Sequence, residues 1–66
     1  MINNKADYWS EQIVVYCGEN RISLREFANR ANLHYNTIHN IVNGKIEKVM
    51  AETAGILFNV IFRNNY

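Results

Sequence analysis

Between Phe27 and Ile46 the chain carries no carboxylate. The same window holds Arg30, Lys45, both histidines (His34 and His39) and the amides Asn29, Asn32, Asn36, Asn40 and Asn43. The acids lie outside it, at Asp7, Glu11, Glu19, Glu26, Glu47 and Glu52. Such a surface suits a polyanion with readable edges. Phosphates repel carboxylates, and a primary amide can donate and accept at once against adenine N6 and N7. Tyr35 adds a hydroxyl for a phosphate, or a ring face for a thymine methyl. The plainer alternative is a solvated, Asn-rich helix face, since Asn forms helix poorly and is common at caps.

Other chemistries find little support. Cys17 is the one cysteine, so neither an intrachain disulfide nor a Cys-rich zinc site is available. It falls on an apolar face, where a core role outweighs redox sensing. His34 and His39 lack cysteine or carboxylate company within the motif, so neither metal nor cofactor is expected. No set of nucleophile, base and orienting group stands out, and a chain of 66 residues leaves little room for a substrate pocket. The expectation is that this is not an enzyme.

Length sets the frame for these side chains. Sixty-six residues make one domain, 1–66, which buries only about 60% of its unfolded surface. A hydrophobic fraction of 48% and a charged fraction of 20% fit a folded domain. Net charge is only +1, so any positive surface must be local. The apolar runs, Ile13 to Cys17 and Ile56 to Phe62 around Asn59, fall far short of the ~20 residues that span a bilayer. The N-terminus has no apolar signal-peptide core. The expected compartment is the cytoplasm, with no membrane partner.

With no proline, the glycines Gly18, Gly44 and Gly55 are the main punctuation. From Asp7 to Cys17, Tyr8 or Trp9, Ile13, Tyr16 and Cys17 keep helical spacing. Asp7 is placed to cap this segment and Gly18 to stop it. The β-branched Val14 and Val15 keep a strand open as the alternative. Ser23 to Glu26 has the form of a capping box ahead of the apolar face Phe27, Ala28 and Ala31. Asn32 tolerates the left-handed conformation that ends a helix. Ile38, Ile41 and Val42 form the next buried stripe. Opposite them lie Tyr35, Asn36, His39, Asn40 and Asn43, and Gly44 closes the segment. Two short helices joined by Asn32–Leu33–His34 are a helix-turn-helix, with its core at 23–44. The spacing of Val49, Met50, Thr53, Ala54, Leu57 and Phe58 predicts a helix over 47–58. The tail, 59–66, reads as either a helical turn or a strand.

The run from Ile22 to Lys45, ISLREFANRANLHYNTIHNIVNGK, resembles the Cro/CI-type helix-turn-helix of the lambda-repressor-like (XRE) family. The matching features are Glu26-Phe27-Ala28, the small Ala31, the turn residues Asn32-Leu33, core Ile38 and Ile41, and the closing Asn43-Gly44-Lys45. Ile13 stands at the usual upstream distance, and Leu57 to Val60 resembles the end of a fourth helix. The resemblance covers residues 8–60.

It implies an all-α, compact bundle of four to five helices whose third helix, 34–43, enters the major groove of operator DNA. Carried over position by position, Tyr35, Asn36 and Asn40 fall where side chains read bases, with His39 beside them. His34, Asn43 and Lys45 fall on phosphate-contacting positions. Three departures stand out. Leu24 replaces a polar residue that usually touches phosphate, Asn32 replaces the turn glycine, and Cys17 and Val42 replace an Arg–acid pair. Losing both ionic partners together is the tolerable way to lose such a pair.

The resemblance implies a small Cro-like transcriptional repressor or other regulator, of the kind phages and mobile elements carry. The short chain leaves no room for a sensor or protease domain. The expected state is a homodimer, with Phe58, Val60, Ile61 and Phe62 as the interface. Alternatively, this tail folds back to complete the monomer's own core. The rival function is a protein-interaction module, such as an antirepressor that grips a repressor protein. Low net charge, Leu24 at a phosphate position and aromatic Tyr35 keep it open.

Overall fold

The computed structural model describes residues 3–63 of the chain. Four helices follow in order: α1 (Ala6–Asn20), α2 (Leu24–Ala31), α3 (Tyr35–Val42) and α4 (Ala51–Phe58). A wider π-helical turn over Asn59–Arg63 continues α4. The architecture is all-helical, as the sequence predicts. No helix of the described residues is long and apolar enough to cross a membrane.

In α1, Ala6, Trp9, Ile13 and Cys17 recur on one face and are buried. Val14 and Val15 point to solvent. There their β-branching costs only a few tenths of a kcal/mol against a better helix former, so the strand alternative fails. Gly18 does not stop α1, which runs on to Asn20. The end comes at Arg21, held left-handed at φ 56°, where the Ile22 amide closes onto the Cys17 carbonyl at 3.0 Å. Asp7 lies inside the first turn, and Lys5 is the N-cap without a side-chain bond.

Helix α4 starts at Ala51 rather than near Glu47. The residues before it are extended because they pair with the N-terminal segment. Ala6 donates its amide to the Glu47 carbonyl (2.9 Å) and Val49 to the Asn4 carbonyl (2.7 Å). Val49 is thereby buried. The tail is helical as far as Arg63, which decides against a strand there; residues 64–66 lie outside the described residues.

Trp9, Ile13, Phe27, Ile38, Ile41 and Leu57 are the largest fully buried side chains and share one core. Leu33 is half-buried and packs against that core from the turn. Val60 is buried in the same cluster, and Phe62 lies edge-on to Trp9 with centroids 6.2 Å apart. The tail thus folds back on α1, and Val60 is spent inside the monomer rather than offered to a partner. Of the proposed interface, Phe62 is exposed, while Phe58 and Ile61 are half-buried.

Candidate nucleic-acid interface

Local chemistry fixes the two helices of the motif. Ser23 Oγ accepts the Glu26 amide at 3.0 Å and starts α2. The reciprocal half of the capping box is missing, because the Glu26 carboxylate turns to Arg30 Nε at 3.5 Å. At the other end Asn32 adopts φ 57°. The Asn32 amide then reaches the Asn29 carbonyl (3.1 Å) and the Leu33 amide the Ala28 carbonyl (2.9 Å). This left-handed closure reverses the chain within one residue, so α3 begins three residues later.

His34 is the N-cap of α3, extended, with no side-chain cap bond. Its carbonyl accepts from Thr37 (3.1 Å) and Ile38 (3.4 Å). The first-turn amides of Tyr35 and Asn36 have no intrahelical partner and suit an anion. Ile38 and Ile41 fix the inner face of α3 in the core. Ser10 Oγ of α1 donates to the Val42 carbonyl at 3.2 Å. Gly44, at φ 70°, ends the helix. The Lys45 amide donates to the Asn40 carbonyl at 3.0 Å and the Gly44 amide to Ile41 at 3.4 Å.

The outer face brings the sequence-predicted residues together. His34, Asn36, Asn43 and Lys45 are exposed; Tyr35, His39 and Asn40 are half-buried. The rings of Tyr35 and His39 lie 5.7 Å apart. Asn43 is partly engaged, its Nδ2 donating to the His39 carbonyl at 2.8 Å. Leu24 is half-buried against the core rather than standing free.

The cations are distributed differently from the composition argument. Arg30 belongs to the acid-free window in sequence but is drawn away from the outer face of α3 in space. Its guanidinium donates to the Tyr16 hydroxyl of α1 at 3.3 Å and pairs with Glu26. The Tyr16 hydrogen bond first, and Glu26 further, raise its pKa above the ordinary arginine value. Arg25 takes its place. Its Cζ lies 4.3 Å from the centroid of the Tyr35 ring, so α2 contributes a cation to the head of α3. Sequence reasoning passed over Arg25. The signal was its position as the one cation in the first turn of α2.

Cys17 is buried, and burial pushes its thiol pKa up, with Arg30 pulling weakly the other way. A buried, neutral thiol fits the core role and not a reactive one.

A short capped helix, a tight left-handed turn and a second helix with an amide-rich outer face define a DNA-binding helix-turn-helix domain. The family model of the Cro/C1-type HTH DNA-binding domain matches residues 12–54, and the chain belongs to this family. No curated protein and no solved structure matches the chain significantly.

Proposed function

We propose that the chain is a small, Cro-like, sequence-specific transcriptional regulator of the kind carried by phages and mobile elements. It binds operator DNA as a homodimer and reads the major groove with α3. Asn36 and Asn40 read bases, with Tyr35 and His39 beside them. His34, Lys45 and the free half of the Asn43 amide meet phosphates.

The observation that carries this reading is the outer face of α3. It has amides at the solvent side, unpaired first-turn amides at its head and no carboxylate between Phe27 and Ile46. Arg25 at the same head adds positive charge. The rival, a module that grips a repressor, has Leu24 at a phosphate position in its favour, though that side chain is half-buried against the core.

Salt titration of binding to a random-sequence duplex separates the two. A DNA reader with several phosphate contacts loses affinity steeply as salt rises, with a slope of roughly −0.9 per phosphate neutralised. Undetectable binding at low salt favours the interaction module.

A further inference from the structure

The N-terminal segment is held against the connection between α3 and α4. The bonds from Ala6 to Glu47 and from Val49 to Asn4 flank an isolated antiparallel bridge between Lys5 and Lys48. Bonds on either side of a facing pair make it the non-hydrogen-bonded kind, which has the closer side chains. Lys5 and Lys48 therefore project from the same face as near neighbours. The placement of Lys5 is reinforced locally. Its amide donates to Asn3 Oδ1 at 2.8 Å, and Trp9 Nε1 in the core donates to the Asn3 carbonyl.

Two like charges directly opposite one another destabilise a bridged pair. Both lysines are exposed. Asp7 and Glu47 border the same open cleft without an ion pair to either lysine, the ion pair among the described residues being Arg30–Glu26. Lys48 also borders a second cleft, shared with Thr37 and Asn40 of α3. Lys48 thus stands beside the outer face of α3, and the bridge sets Lys5 next to it.

We infer that Lys5 and Lys48 form a two-ammonium clamp for the DNA phosphate backbone, placed beside the bases that α3 reads. The inference rests on the DNA-reading function proposed above. Two adjacent point charges suit successive phosphodiester oxygens along a strand and carry no base preference. They also make the N-terminal segment part of the interface, because the backbone bridge sets the position of Lys5.

The test measures binding of the full chain to a random-sequence duplex over a range of salt. Wild type is compared with Lys5→Gln, Lys48→Gln, the double variant and Lys48→Arg. Each single Gln variant lowers the slope of log affinity against log salt by about 1, and the double variant by about 2. Lys48→Arg keeps the wild-type slope. Without DNA at low salt, the double variant melts at or above the wild-type temperature, since repulsion is removed. Should it fail to fold, the Lys48→Gln slope decides alone. Unchanged slopes in the Gln variants overturn the clamp and leave the DNA-reading function standing. A wild type with no salt-dependent binding overturns both.

Discussion

The guanidinium of Arg25, in the first turn of α2, stacks 4.3 Å from the ring centroid of Tyr35, the first residue of α3. The contact ties together the two helix starts that flank the turn. It orients the Tyr35 ring, which also touches His39, before any ligand arrives. With the cation itself exposed, such a contact contributes about 0.5–1 kcal/mol. A double-mutant cycle of Arg25→Ala and Tyr35→Ala in urea denaturation returns a coupling energy of that size. Purely additive effects would show that the stack contributes nothing to stability.

Asn36→Ala and Asn40→Ala each lower affinity for a selected operator by about 1–3 kcal/mol and leave random-DNA binding nearly unchanged. Lys45→Ala weakens both kinds of binding and lowers the salt slope by about 1. Fluorescence anisotropy on the two duplexes reads both effects. Intact operator affinity in Asn40→Ala would remove that residue from the reading face.

Left-handed residues end α1, α2 and α3, at Arg21, Asn32 and Gly44. A Cβ on Gly44 meets no atom within 4 Å, so Gly44→Ala costs about 0.5–1 kcal/mol, the left-handed backbone penalty less the freedom that glycine has in the unfolded chain. Arg21 carries that penalty in the native chain. Arg21→Gly stabilises by about 0.5–1 kcal/mol, the part left after the greater freedom of glycine in the unfolded chain. Urea midpoints, with unchanged denaturant dependence, check both signs.

Burial raises the Cys17 thiol pKa in the native state. The folded chain therefore holds the thiol proton to higher pH than the unfolded chain. Its contribution to stability is complete below 9.0, the ordinary thiol value, and is lost as pH climbs through the raised native value. Stability falls on the alkaline side, and Cys17→Ala removes the part of that slope due to the thiol. Equal alkaline slopes in the two proteins would contradict the shift.

Phe62 is 45% exposed at the end of the folded-back tail, packed on Phe58 with ring centroids 5.4 Å apart. If Phe58, Ile61 and Phe62 form the proposed homodimer interface, Phe62→Glu converts a dimer to a monomer in sedimentation equilibrium at micromolar concentration. A dimer unaffected by the substitution places the interface elsewhere. A monomeric wild type leaves the tail as a cover for Trp9 alone.

The sequence by itself determined the helix-turn-helix. Ser23 caps the amide of Glu26, Asn32 turns left-handed and Gly44 closes α3. Each acts on backbone groups within a few residues, so its effect is written in the local order of side chains. The periodicity of Ile38 and Ile41 likewise told which face of α3 is inward, and hence that Asn36 and Asn40 lie on the outer side. Tertiary structure alone decided what depends on partners distant in the chain. The helical spacing runs back to Val49, yet Glu47 to Val49 are not helical, because Ala6 donates to Glu47 and Asn4 accepts from Val49 across the chain. Arg30 shares the acid-free window, but Tyr16 and Glu26 draw it off. Arg25, next to an acid in sequence, reaches the head of α3 because Tyr35 offers it a ring. Local propensity cannot register such contacts, since their free energy appears only once the helices have packed.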